Sequence, residues 1–292
     1  MILVTGGSGF IGRRVVARLT DRGNGVRVLA RGQRPAELPN RVETVNADVL
    51  SGEGLSEAMS GIEKVIHTVA IIRESGGQTF EGVIRRGTER VVAAAKLAGV
   101  RKLVYISAIG AQDTLTYPYL HAKWWAERAV ASSGIKYTIL RPSIVFGVGD
   151  EFINALAGLV RYNPIVPVAG NGKARFQPIW VEDLVTCIVA CLDEEAHDGE
   201  TLEVGGPEHL TYDEMVDIVK QTLGKSRLKA HVPLALMRPL AQVMEWVLPK
   251  PPVTQEQLKM LALDNTTDTD SVMRSFGVQP RRLAGSLDYI KR

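Results

Sequence analysis

An α/β fold with a doubly wound parallel sheet is what this 292-residue sequence predicts, on three observations. Short runs that are apolar nearly throughout, such as Ile2-Leu-Val4, read as strands buried on both faces. Stretches of helical periodicity alternate with them, beginning with Ile11, Val15, Val16 and Leu19. Between the first strand and the first helix, Gly6, Gly9 and Gly12 punctuate a turn.

Composition bounds the function. The chain is 45% hydrophobic and 23% charged, ordinary values that allow a sizeable core, as one large α/β domain or a domain with an appended lobe. A net charge of +3, scattered along the chain, is too small to imply a nucleic-acid partner. The chain enters a core strand at once, leaving no room for a secretory signal, and no uncharged apolar run is long enough to span a bilayer. A cytoplasmic protein is expected, with peripheral attachment at the inner face of the membrane as the alternative. Cys187 and Cys191 lie one turn apart in the apolar helix Val181–Leu192, which reads as two buried thiols; no metal site is expected.

In order, the first strand leads into Thr5-Gly-Gly-Ser-Gly-Phe-Ile-Gly12 and a helix, the context in which a glycine pattern signals a dinucleotide site. Glycines let backbone approach a pyrophosphate, and the N–H groups opening the helix point at the anion; Gly6, Gly9, Phe10, Ile11 and Gly12 are the candidates. Val26–Ala30 is the second strand, ending at Arg31. An acidic residue there would hold the ribose hydroxyls of NAD; Arg31, with Arg34 close behind, favours the 2′-phosphate of NADP(H), leaving NAD(H) as the alternative. Two solvated loop arginines are the plainer reading. Val42–Asp48 and Lys64–Ala70 are the third and fourth strands, and His67 in the latter reads as a satisfied imidazole of the core or behind the site rather than as a catalyst. A long helix over Phe80–Ala98 and a fifth strand over Lys102–Ser107 follow.

Tyr119-Leu-His-Ala-Lys123 then opens a helix, and this spacing puts Tyr119 and Lys123 on one helix face. Tyr137–Pro142 is the sixth strand. Beyond it the alternation loosens, and Pro164, Pro167, Gly170, Asn171 and Gly172 mark loops. Glu182 and Asp183 open a helix, Leu202–Gly206 is a further strand, and Thr211-Tyr-Asp-Glu214 is a capping box for a helix running to Leu223. Pro233–Leu248 patterns as an amphipathic helix bent at Pro239. It either covers a substrate cleft or, with Trp246 and Lys250-Pro-Pro, offers a surface to a protein partner or a membrane. The expected organisation is a nucleotide-binding core over 1–145 to which 173–204 return, and a substrate or partner lobe over 146–172 and 205–292.

The turn Thr5–Gly12 and the Tyr119/Lys123 pair resemble extended and atypical short-chain dehydrogenases/reductases of the NAD-dependent epimerase/dehydratase type. With Arg31, the short loop from Ser107 to Tyr119 and Gln257–Asn265, the chain is similar to the subgroup containing the 39-kDa NADPH-binding accessory subunit of respiratory complex I. The resemblance implies a Rossmann-type sheet with a smaller C-terminal substrate-binding lobe. It places Asp48 and Val49 at the adenine, Val69 and Ala70 in a cofactor-contacting turn, and Pro142 and Ile144 along the nicotinamide. It makes Tyr119 the proton donor or acceptor, aided by Lys123, which also holds the nicotinamide ribose. The usual hydroxyl beside the tyrosine falls on Ala108 and Ile109; Ser107 serves instead, or Thr114 or Thr116 swings in, or the third member is missing. Two functions remain open. One is hydride transfer at a hydroxyl or carbonyl of a small molecule, such as a sugar nucleotide, a steroid-like or a quinone-related compound. The other is a non-catalytic NADP(H)-binding subunit or assembly factor of a respiratory complex.

Overall fold

Alternation of β and α elements runs through the first half of the chain. The computed structural model describes residues 1–32, 38–193, 195–247 and 254–291. In chain order the elements are β1 (Ile2–Thr5), α1 (Gly12–Asp21), β2 (Val26–Ala30), β3 (Glu43–Asn46), α2 (Leu55–Met59) and β4 (Lys64–His67). A π-helical turn, Glu81–Arg86, leads into α3 (Gly87–Leu97), followed by β5 (Lys102–Ile106), α4 (Pro118–Ala131) and β6 (Lys136–Pro142). Then come β7 (Val145–Phe146), α5 (Phe152–Tyr162), β8 (Ile165–Ala169), β9 (Arg175–Phe176), β10 (Ile179–Trp180), α6 (Val181–Asp193) and β11 (Glu200–Val204). The chain finishes with β12 (Leu210–Thr211), α7 (Tyr212–Thr222), β13 (Leu228–Val232), α8 (Leu234–Val247), α9 (Gln255–Met260) and α10 (Ser271–Phe276).

Two compact units result. Met1–Arg141 and Leu184–Glu203 form the first; Pro142–Asp183 and Val204–Arg292 form the second, so residues 173–183 lie in the second unit. The first is built on a seven-stranded sheet in the order β11-β6-β5-β4-β1-β2-β3. Strands β3 through β6 pair in parallel throughout. The chain leaves β1 toward β2 and β3 on one side and reaches β4, β5 and β6 on the other. That reversal makes the β1/β4 boundary the switch point, where open α/β sheets bind ligands beyond the carboxyl ends of their strands. The strands are as apolar as their burial demands: every residue of β1 and β5 is buried. Val15, Val16 and Leu19 bury the inner face of α1, while Val91, Val92 and Ala95 do so for α3. The long helix expected over Phe80–Ala98 is a π turn followed by an α-helix, and β4 stops at His67 rather than Ala70.

In the second unit, Ile153, Leu156, Ala157 and Val160 of α5 pack with Met215, Val216 and Val219 of α7. Thr211 forms the expected capping box with Glu214. The stretch expected to be loops contains β8, which pairs in parallel with β13, Pro167 opposite Ala230. Gly170 N–H donates to the Val232 carbonyl. Strand alternation then turns the N–H groups of Val166 and Val168 toward β13 and the ring nitrogen of Pro167 toward the open edge, the position at which a strand tolerates proline. Helix α8 runs through Pro239, with Leu236 and Trp246 exposed. Lys250-Pro-Pro lies outside the described residues. Cys187 and Cys191 are buried in α6.

Candidate cofactor and active site

The carboxyl ends of β1, β2, β3, β4 and β5 lie along one edge of the first unit's sheet, and most of the sequence candidates follow these ends directly. After β1, the turn closes with Gly9 N–H on the Gly6 carbonyl at 2.9 Å, and Arg13 N–H returns to Gly9 at 3.0 Å. Gly6 has φ +75°, in the left-handed region that a side chain strains to enter. A Cβ on Gly12 would lie 2.1 Å from the Gly6 carbonyl oxygen, so the start of α1 seats against the turn only without one. Among the described residues the backbone N–H groups of Phe10, Ile11 and Gly12 have no backbone acceptor. This donor set, at the amino end of a ten-residue helix, fits a diphosphate.

Arg31 follows β2 directly and is exposed; Gly32 beside it donates to Asn46 Oδ1 at 2.9 Å. Arg34 lies outside the described residues. Past β3, Asp48 accepts Leu50 N–H at 2.9 Å through Oδ1, and Val49 is buried in the core. Past β4, Val69 packs partly buried against that core, while Ala70 is exposed. Pro142 and Ile144 belong to the second unit, where Ile144 packs against the core.

Tyr119 and Lys123 occupy the first two turns of α4, which Pro118 opens at a position where its missing N–H costs nothing. Lys123 is 2% exposed. Its Nζ donates to the Ile106 carbonyl at 2.7 Å and sits over the rings of Tyr105, at 5.1 Å, and Tyr119, at 6.0 Å. Phe80 meets the Tyr119 ring edge-on at 5.6 Å. The pair is therefore drawn to the end of β5, where Ser107 is buried and its Oγ has no hydrogen-bond partner among the described residues. Burial pushes the Tyr119 phenol up to about 12. Burial also brings the Lys123 ammonium down to about 7, against the pull of the Glu127 carboxylate.

Further residues surround the pair, and of these Thr88, Tyr105 and Glu127 escape a reading of the sequence. Thr5, His67 and Tyr105 are in register on β1, β4 and β5, and the His67 and Tyr105 rings stack at 5.5 Å. Thr88 Oγ1 donates to the Ile84 carbonyl at 2.6 Å, so it accepts from His67 Nε2, 2.9 Å away. Nδ1 then accepts from Thr5 Oγ1 at 2.6 Å. Both nitrogens are satisfied by a neutral ring; burial, with the Lys123 charge adding to it, brings His67 down to about 3. His67 is thus the core imidazole its apolar strand suggests. Glu127 and Arg141, joined by a two-pronged ion pair, complete the surroundings. Glu127 is signalled only by its spacing of four from Lys123.

Sheet order, glycine turn and free helix-opening amides together define a Rossmann-type nucleotide-binding protein. The family model described as NAD(P)H-binding matches residues 6–148. The chain belongs to the NAD(P)-binding oxidoreductases of the short-chain dehydrogenase/reductase family. It is 32% identical to a (4-alkanoyl-5-oxo-2,5-dihydrofuran-3-yl)methyl phosphate reductase of Streptomyces griseus, over 77% of this chain and 74% of the relative. It is 28% identical to NADH dehydrogenase (ubiquinone) 1 alpha subcomplex subunit 9 of Arabidopsis thaliana, over 91% of this chain and 69% of the relative. The structure of a nucleoside-diphosphate-sugar epimerase from Staphylococcus aureus shares the fold, with TM-score 0.81 and 19% identity, covering 100% of this chain and 99% of the other. Among the described residues no helix is long and apolar enough to cross a membrane.

Proposed function

We propose that this protein is an NADP(H)-dependent oxidoreductase that reduces a carbonyl, or oxidises the corresponding hydroxyl, on a small molecule such as a sugar nucleotide, a steroid-like or a quinone-related compound. The observation that carries the proposal is the pairing of Tyr119 with Lys123, whose amine reaches the end of β5 at Ile106, next in the chain to Ser107, whose Oγ has no hydrogen-bond partner among the described residues. When bound, the nicotinamide supplies or accepts the hydride. Tyr119 gives its hydroxyl proton to the substrate oxygen, a role suited to a phenol that burial keeps protonated. Ser107 Oγ donates to the same oxygen and orients it. Lys123, as an ammonium, holds the nicotinamide ribose hydroxyls and eases loss of the Tyr119 proton. The amides of Phe10, Ile11 and Gly12 bind the diphosphate, and exposed Arg31, aided by Arg34, binds a 2′-phosphate. Asp48 and Val49 serve the adenine end, and Val69 and Ala70 line the cofactor path past β4.

The test follows NADPH absorbance across a panel of such carbonyl compounds. Tyr119→Phe is expected to lower kcat on the order of a hundredfold or more with cofactor affinity unchanged. Turnover that survives the substitution removes Tyr119 from the chemistry.

A second reading is a subunit or assembly factor in which held NADP(H) stabilises structure without reacting. Similarity to a complex I subunit over 91% of the chain supports it. So does Ala108-Ile109 where the usual hydroxyl would stand. Exposed Leu236 and Trp246 on α8 would then face a protein partner or membrane surface. Bound cofactor that stays unreacted across the whole panel, in protein that co-purifies with a larger assembly, would favour this reading.

A further inference from the structure

The connection from Ser107 to Pro118 joins β5 to α4, and a side chain on α4 reaches back to its middle. His121 lies between Tyr119 and Lys123 in sequence. Its Nε2 is 3.1 Å from Asp113 Oδ1 in the connection and 3.0 Å from Nε1 of Trp125, one turn further along the helix. These two contacts make opposite demands on one nitrogen. A carboxylate only accepts, so Asp113 requires a proton on Nε2; an indole N–H only donates, so Trp125 requires Nε2 bare. Nδ1 has no hydrogen-bond partner among the described residues, so nothing on the other side of the ring fixes the proton.

Protonation decides between the two. An imidazolium carries a proton on both nitrogens, so it donates to Asp113 in a charge-assisted bond and turns the indole away. A neutral ring is free to carry its proton on Nδ1 and accept the indole N–H. It does so because the losses are unequal. The Asp113 side chain is 58% exposed and returns to water, whereas the Trp125 indole is half-buried and has no other acceptor among the described residues. The other charged groups on this side of α4 are engaged elsewhere. Arg85, from the π turn, lies over the Trp125 ring at 4.5 Å and pairs with Glu81 and with Glu89 of α3. Arg128 lies over Trp124, and Lys123 reaches the Ile106 carbonyl of β5.

We propose that His121 is a proton-operated latch: as the imidazolium it holds Asp113 and fastens the β5–α4 connection to the helix bearing Tyr119 and Lys123, and as the neutral ring it takes the Trp125 indole and lets Asp113 go. The latch rests on the oxidoreductase reading only for its bearing on catalysis, through the connection that begins at Ser107 and carries Thr114 and Thr116.

The experiment follows the Trp125 indole N–H resonance by NMR in the full-length protein, assigned with Trp125→Phe, alongside the His121 ring resonances. The range is about pH 5 to 8, where imidazoles ordinarily exchange protons. As pH falls, the indole resonance should move from a hydrogen-bonded to a solvent-exposed position in step with the His121 ring. Amide protection across 112–116, corrected for the intrinsic effect of pH on exchange, should be several-fold higher at the acid end. His121→Gln, which keeps a donor and an acceptor but does not titrate, should flatten both responses. Asp113→Ala should keep the indole response and abolish the change in protection. An indole resonance that ignores the titration of His121, protection that is level across the range, or a change in it that survives Asp113→Ala overturns the proposal. Neither cofactor nor substrate enters the measurement, so the latch and the oxidoreductase reading fail separately.

Discussion

Nδ1 of His67 accepts the Thr5 hydroxyl proton at 2.6 Å, joining the ends of β1 and β4 at the point where the sheet reverses its order. His67 titrates at about 3 in the folded protein, below its ordinary 6.5. Between those values the unfolded chain binds a proton that the folded one refuses. The resulting stability is complete above about pH 6.5 and is lost as pH falls toward 3, at up to about 1.4 kcal/mol per pH unit. Urea melts across pH 4 to 8 should therefore show a shallower acid decline in His67→Gln than in the unaltered protein. At neutral pH, His67→Ala should cost about 2–4 kcal/mol, because it leaves a cavity and strands the Thr5 hydroxyl, which donates to the imidazole.

Gly12 and Gly9 should respond differently to alanine. A Cβ on Gly12 would meet the Gly6 carbonyl oxygen at 2.1 Å, and one on Gly9 would meet the same atom at 3.2 Å. The first cannot be relieved without moving backbone, so Gly12→Ala should destabilise the fold by more than about 3 kcal/mol. The second needs a few tenths of an ångström; Gly9→Ala should fold normally yet bind NADPH about tenfold more weakly. Thermal melts and calorimetric titration check both.

Arg31 stands exposed at the end of β2. If it meets a 2′-phosphate, Arg31→Asp should weaken NADPH on the order of a hundredfold and leave NADH unchanged or tighter. Fluorescence titration with both nucleotides reads the ratio; an unaltered ratio would place the phosphate elsewhere.

Lys123 sets a pH dependence of its own. Because burial brings its ammonium down to about 7, the charged form is lost above neutrality. NADPH affinity should be level below about pH 7 and fall above it, by up to about tenfold per pH unit. Lys123→Met should bind weakly at every pH, with no such decline.

Much of the first unit is legible in the sequence because its signals are local. An apolar run, a glycine turn and a periodic helix adjoin one another within Met1–Asp21, and Tyr119 and Lys123 are four residues apart. The contacts behind them are not local. Thr5 and His67 are 62 residues apart in sequence, and Arg141 and Glu127 are 14 apart on different elements, so they meet only once strand order is known. The second unit was obscured for another reason. Ile153, Leu156, Ala157 and Val160 carry helical spacing, but the prolines and glycines that follow, from Pro164 to Gly172, read as loops. Pro167 likewise speaks against a strand unless the strand has a free edge.

That free edge has a consequence for how the molecule meets copies of itself. An incoming chain that sought to extend the β8–β13 ribbon along β8 would find no hydrogen to accept at Pro167, midway along the strand. A single pyrrolidine ring thus closes the ribbon to further additions on that side, and the second unit is guarded there against stacking into larger, unwanted sheets.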